Sequence, residues 1–364
     1  MQIAVIGAGN GGLAMAAHLT QLGQEVRLWD CRREVLDAIA RQAGILARGE
    51  VRGRFLPAML ADDAPSAVAG AELIMLAVPA FAHRDVMRRI APALADGQTV
   101  VLNPGRTAGS LQARRALAGA ACDADVTVAE TQTFIYTARS PDAGHVEVFA
   151  LKRQCILAAI PSGRTDRVLR LLRQFYPQMT AAANTLVTGL QNMGAILHPT
   201  PVLLNVGWIE TPDVDFLHYI DGMTPSVVRY LERMDGERTA VAAAYGQPSP
   251  SLREWLGRTY GIEAPTLYEA IQRNAGYASL RAPKDLRHRY VREDVPTGLV
   301  PLSALGGVAG VPTPYIDLIV DLACRLLDED FRSSGRSLAA LGLSDAREAR
   351  DVLAAFEGRD CDPA

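Results

Sequence analysis

Three sets of residues in this 364-residue chain combine types and spacings that could do chemistry. The first is Gly7-Ala8-Gly9-Asn10-Gly11-Gly12, a G-x-G-x-x-G string between an apolar run and a helical pattern. In that context Gly7 permits the tight turn, Gly9 lets the backbone approach a pyrophosphate, and Gly12 lets helix pack closely on sheet. The N–H groups of the helix that this string opens then face the phosphates. Asp30, 18 residues beyond Gly12, is placed to accept hydrogen bonds from the adenosine ribose, which favours NAD over NADP. Arg32 and Arg33 pull the other way, because an arginine there can hold a 2′-phosphate. Val78-Pro79-Ala80 and Asn103-Pro104-Gly105 close two apolar runs; as strand ends they would floor a nicotinamide crevice, and ordinary proline turns fit the same spacing.

The second set is His198, at the end of the apolar stretch Asn192-Met193-Gly194-Ala195-Ile196-Leu197, followed by Pro199 and, seven residues on, by Asn205. A histidine at a helix C-terminus is favoured as imidazolium and can move protons near neutral pH. A lone histidine on an apolar helix is more often a satisfied core residue, so both readings stand on the residues alone. The third set is His288-Arg289-Tyr290-Val291-Arg292-Glu293-Asp294-Val295-Pro296. A solvated charge run is the ordinary reading, weakened by the apolar Val295 and Leu299–Leu302 that follow at once.

These sets need elements to position them. The first half alternates strands and helices: strands over 2–6, 25–29, 73–78, 99–102, 126–129, 146–151 and 154–160, with helices over 11–22, 34–41, 83–94, 110–117 and 164–175. That alternation predicts a doubly wound α/β parallel sheet with helices on both faces. From about Leu186 the pattern is helical, with the longest stretch over 226–245 and prolines punctuating the rest. The expected division is a dinucleotide-binding domain over 1–180 and an all-helical domain over 186–364.

Composition narrows the class. Half the residues (49%) are hydrophobic and 21% charged, and 37 basic against 40 acidic residues leave a net charge of −3, so no basic field calls for nucleic acid or an anionic membrane. No apolar run is long enough to span a bilayer, and the expectation is a cytoplasmic protein. Five cysteines without a C-x-x-C pair (Cys31, Cys122, Cys155, Cys324 and Cys361) argue against disulfides and structural zinc, and no metal is expected. Lysine occurs only at Lys152 and Lys284; the other 35 basic residues are arginine, so an amine base has two candidates.

The chain resembles the octopine/nopaline (opine) dehydrogenases over nearly its full length. The likeness runs through GAGNGGLAMAAHL at 7–19, LNPGRTAG at 102–109, AETQTFIYTAR at 129–139, LQNMGAILHPTPVLLN at 190–205, YLERMDGERTAVAAAYG at 230–246, SLREWLGRTYG at 251–261, HRYVREDVPTGLVP at 288–301 and GVPTP at 310–314. The resemblance implies a Rossmann domain, an all-helical substrate domain and catalysis in the cleft. It implies NAD(P)H-dependent reductive condensation of an α-keto acid with the amino group of an amino acid, and the reverse oxidation. By motif match His198 takes the catalytic histidine role, Asp294 its carboxylate partner, and Arg289 the arginine that holds a substrate carboxylate; Asn205 joins it as a candidate substrate residue. The expected cofactor is NAD or NADP, with NADH slightly favoured, bound by Gly7, Gly9, Asn10, Gly12, Asp30, Arg32, Val78, Pro79 and Asn103. A His–Asp pair predicts a histidine more basic than the free side chain. The alternatives are a ketopantoate- or glycerol-3-phosphate-type reductase, against which the absence of lysine between Arg153 and Pro283 counts, and a non-catalytic NAD sensor. The sequence is silent on oligomeric state, with a homodimer left open.

Overall fold

The structure, a computed structural model, describes residues 1–359. The chain folds into two compact units, and the division is not contiguous in sequence. The first holds Met1–Gly105, Gly109–Thr188 and the described residues from Phe356; the second holds Arg106–Ala108 and Gly189–Ala355. A cut between 180 and 186 therefore misses two crossings, a three-residue loop and a C-terminal return. Neither has a periodicity that a sequence pattern could reveal.

The first unit carries β1 Gln2–Ile6, β2 Glu25–Trp29, β3 Ile45–Gly49, β4 Gly53–Phe55, β5 Met59–Leu60, β6 Leu73–Leu76, β7 Thr99–Leu102, β8 Thr127–Thr131, β9 Tyr136–Arg139, β10 His145–Leu151, β11 Cys155–Ile160 and β12 Met179–Ala181. The main sheet runs β12-β11-β8-β7-β6-β1-β2-β5. It is parallel except where β11 meets β8 antiparallel. Its central strands β6, β7 and β8 are buried at every residue; β6 and most of β7 accordingly read as continuous apolar runs, whereas β8 buries Thr127, Glu130 and Thr131 as well. The strand order reverses on either side of β1, and the glycine string follows β1 at that switch point.

β10 departs from the expected single sheet. It belongs to a second, four-stranded sheet, β4-β3-β10-β9, in which β10 pairs parallel with β3 and antiparallel with β9. The partners β3, β4 and β9 escaped sequence reading because each is short and half polar.

The second unit is helical; its one strand-like feature among the described residues is a single bridge between Leu217 and Arg281. Its longest helix, Pro225–Ala244, starts with proline in its first turn behind the N-cap Thr224, whose hydroxyl accepts from Val227 N–H at 3.4 Å. The helix over Leu252–Tyr260 opens with a capping box between Ser251 and Glu254. Buried Arg238 of the long helix donates to the carbonyls of Leu190 and Pro250, which fixes the strand-free segment leading to Met193. Among the described residues no helix is long and apolar enough to cross a membrane.

Candidate active site

The candidate nucleotide-binding residues lie in the first unit. Gly7 has φ +106°, and a Cβ there would sit 2.7 Å from the Ala77 carbonyl oxygen. A Cβ on Gly12 would overlap the Gly7 carbonyl, whereas one on Gly9 would meet nothing within 4 Å. The helix Asn10–Gln21 has no side-chain cap and no acidic residue in its first turn. Its positive end and its open approach at Gly9 fit a pyrophosphate. Asn10 itself is exposed, and its Oδ1 accepts from Ser140 N–H at 3.0 Å.

Asp30 is buried at the end of β2 and accepts from Ala8 N–H at 2.5 Å, from Arg32 N–H at 2.8 Å and from the Arg32 guanidinium at 3.0 Å. Burial pushes its pKa up, but Arg32 and the backbone donors outweigh it and hold the carboxyl below its usual value. Arg32 is thus engaged with Asp30, and Arg33 pairs with Asp37 and Asp62 at the surface. Val78, just past β6, is half-buried, and Pro79 beside it is exposed. Asn103 is buried at the end of β7, with its amide nitrogen donating to the Val101 carbonyl at 2.9 Å.

The second unit brings His198 and Asp294 together across 96 residues: Nδ1 of the imidazole lies 2.8 Å from Oδ2 of the carboxylate. His198 joins two short helices, capping the C-terminus of Met193–Leu197 and the N-terminus of Pro199–Leu204. Asp294 is fully buried and immediately precedes a π-helical turn, Val295–Leu299. Its other oxygen, Oδ1, is 3.2 Å from the guanidinium of Arg106, a residue of the loop 106–108 with φ +62°. Arg106 also approaches Glu293 Oε1 at 3.4 Å and Asn192 Oδ1 at 3.3 Å. Gly194 makes room for this: a Cβ there would lie 2.6 Å from the Arg106 guanidinium and 3.1 Å from His198 Cε1.

The electrostatics correct one expectation. Burial lowers the His198 pKa, and Asp294 does not offset it. The Arg106 and Arg289 guanidinium charges add to burial in opposing the cation, and the Asp294 charge is shared with Arg106. Burial also works against Asp294, but Arg106 and then His198 bring its pKa down to about 2. The resting pair is therefore carboxylate and neutral imidazole, with the Nδ1 proton donated to Asp294 and Nε2 left as an acceptor.

Arg289 stands beside this pair, with its side chain half exposed and Nε 3.5 Å from Glu293 Oε2. The amide nitrogen of Asn205 donates to the carbonyls of Pro201 at 2.8 Å and Gly222 at 3.0 Å, so both of its hydrogens are spent on the backbone and only its oxygen could meet a substrate. Sequence reading also missed neighbours. The Tyr290 ring stacks on His198 with centroids 4.2 Å apart and 14° between planes, and His218 and His288 contact the same ring. His218 is buried against Tyr219 and Tyr290, and burial lowers its pKa to about 3. Arg106 and Glu293 lay inside quoted motifs without a role; an arginine among small residues in LNPGRTAG was the available signal.

Residues 181–327 match the family model for the α-helical domain of NAD/NADP octopine/nopaline dehydrogenases. The chain is 41% identical to an opine dehydrogenase of Arthrobacter sp. (strain 1C) over 342 residues, covering 94% of this chain and 95% of that protein. The chain belongs to the opine dehydrogenase family. Vitopine synthase of Allorhizobium ampelinum is a more distant relative, 26% identical with 96% and 98% of the two chains covered. The opine dehydrogenase fold is shared with a solved octopine dehydrogenase bearing NADH and L-arginine, with TM-score 0.79, 22% identity and 98% of each chain covered. A yersinopine dehydrogenase with NADP+ bound aligns with TM-score 0.72 and 16% identity, again covering 98% of each. Residues 2–127 match the N-terminal model of NAD-dependent glycerol-3-phosphate dehydrogenase, a likeness confined to the nucleotide-binding half.

Proposed function

We propose that this opine dehydrogenase family member joins an α-keto acid to the amino group of an amino acid with NAD(P)H, and catalyses the reverse oxidation, with His198 moving the protons. The observation that carries the reading is the buried Asp294 on Nδ1 of His198, which leaves Nε2 as the reactive nitrogen. His198 Nε2 takes one proton from the substrate amine as it attacks the keto carbon and passes it to the keto oxygen, giving the carbinolamine; it then takes the remaining N–H proton and delivers it to the hydroxyl, which leaves as water and gives the imine. Asp294 holds the imidazole in the required tautomer and stabilises the imidazolium formed in between. Tyr290 covers one face of the ring and keeps its plane fixed. Arg289, the half-exposed cation beside the pair, is suited to hold a substrate carboxylate through its planar fork. NAD or NADP, held by Gly7, Gly9, Gly12 and the N-terminus of helix Asn10–Gln21, supplies or takes the hydride.

Solved octopine dehydrogenases carrying NADH with L-arginine, and NADH with pyruvate, support the substrate classes. For cofactor choice we infer NADH over NADPH: Asp30, charged and buried at the ribose end, opposes a 2′-phosphate, although its pairing with Arg32 softens the repulsion. The test is to incubate the protein with NADH or NADPH, a panel of α-keto acids and a pool of amino acids. New masses at the secondary-amine product, with matching cofactor oxidation, are expected. No coupled product with any pair would reject the reading and favour an NAD-binding sensor.

A further inference from the structure

A carboxylate that is to orient a catalytic histidine must itself be held, and Asp294 follows a helix of only four residues, Arg289–Arg292. What holds it comes from elsewhere in the chain. We propose that Arg106 is a positioning residue for the reaction read above: by holding Oδ1 of Asp294 and the neighbouring Glu293 it fixes Oδ2 on His198 Nδ1 and keeps the imidazole uncharged between turnovers.

The surroundings of the side chain are built for this task. Arg106 is 8% exposed and takes a left-handed backbone conformation, which a non-glycine residue holds only when its surroundings impose it. They do so from both sides. Thr107 N–H donates to the Thr297 carbonyl at 3.2 Å, Thr107 Oγ1 donates to the Gly189 carbonyl at 3.1 Å, and the Arg336 guanidinium donates to the Thr107 carbonyl at 2.7 Å. Asn192 receives the guanidinium, and Gly194 leaves the space it fills. The loop is thus clamped to the π-helical turn that Asp294 precedes, so the cation and the carboxylate are held by one hydrogen-bonded unit.

The charges around His198 are then accounted for. Asp294 favours its cation; Arg106 and Arg289 oppose it; His218 and His288 are pressed against the same Tyr290 ring, and Glu293 lies between the two arginines. Arg106 acts twice, as a nearby positive charge and as the partner that shares the Asp294 charge. Removing it takes the guanidinium off Oδ1 and leaves the carboxylate charge directed at His198, which draws the proton onto the imidazole.

The experiment is an NMR titration of the His198 imidazole in the full-length protein, assigned by its loss in His198→Gln, for the unmodified chain, Arg106→Met and Arg106→Lys. Arg106→Met should raise the midpoint by about one pH unit or more, and Arg106→Lys, which keeps the charge without the fork, should fall in between. The acidic limb of kcat/KM should move with the midpoint, while KM for NADH stays constant. A folded Arg106→Met with an unmoved midpoint overturns the proposal. Should that variant not fold, Arg106→Lys decides: an unchanged midpoint together with unchanged kcat overturns it. The titration needs no substrate, so absence of opine formation in the unmodified enzyme would sink the parent reading and leave this one standing on its own result.

Discussion

At the scale of single residues the site is a chain of charges: Glu293, Arg106, Asp294, His198. Replacing His198 by Ala removes the proton carrier, and turnover should fall roughly 10² to 10⁴-fold with cofactor binding intact. Asp294→Asn should be comparably severe, and the double variant little worse than the worse single one, because the two act as a unit. Steady-state kinetics beside cofactor fluorescence titration checks this; a His198→Ala enzyme that loses thermal stability but keeps its turnover would make His198 a core residue. The pH dependence follows from the direction of the His198 shift. A pKa held below the ordinary 6.5 means that imidazole, the base form, persists to lower pH. In opine oxidation kcat/KM should rise with pH through a midpoint below 6.5 and then level off, and a midpoint above 6.5 would contradict the burial argument. The pair itself was legible only through the family resemblance that the His-Pro and Glu-Asp-Val-Pro strings carry, since on the residues alone His198 also read as a core histidine. The direction of its titration was not, because that depends on Arg106, which lies 92 residues before His198 and whose approach no local pattern encodes.

At the scale of elements, the site rests on short pieces meeting end to end. Met193–Leu197 and Pro199–Leu204 each span barely a turn and share His198 between them, so neither would persist alone. Their stability comes from burial of Met193, Ile196, Leu197, Val202 and Leu203. Gly194 separates packing from helix propensity. Alanine is the better helix former by about 1 kcal/mol, but moving the guanidinium off two buried carboxylates costs more, so Gly194→Ala should lower the melting temperature while leaving the chain folded. Its methyl group would displace the end of the Arg106 side chain, a flexible group that yields without unfolding the chain, and kcat should drop roughly tenfold to a hundredfold. Calorimetry and kinetics on one preparation would show it; unchanged kcat would mean the guanidinium position is immaterial. Sequence periodicity located the long elements well: β1, β2 and β7 agree in range with expectation, and Pro225–Ala244 agrees to within a residue. The strands β3, β4, β5, β9 and β12 were not found, since two to five residues with polar members carry too little signal to separate from loop.

At the scale of the molecule, the chain divides into two compact units that are not two consecutive segments. The second takes Arg106–Ala108 from a loop of the first half of the sequence, and the first takes back the described residues from Phe356. A fragment spanning 189–355 lacks the guanidinium on two almost fully buried carboxylates, Glu293 and Asp294. Leaving a buried charge without its partner is destabilising by about 3 to 5 kcal/mol, comparable to the whole stability of many domains. The fragment should express as an unfolded or aggregating chain by circular dichroism, and a cooperatively melting fragment would refute the account.

That three-residue loan shapes what recombination can do with this gene. A chimera joined near residue 188 would pair one parent's helical half with the other parent's loop 106–108. It inherits a working charge chain only where that loop again presents a cation to positions 293 and 294. A substitution at 106, 293 or 294 therefore has to be matched at the other two, although they lie nearly 200 positions apart. A breeder of hybrid enzymes would do better to move the loop and the helical half as one cassette than to cut where the sequence pattern changes.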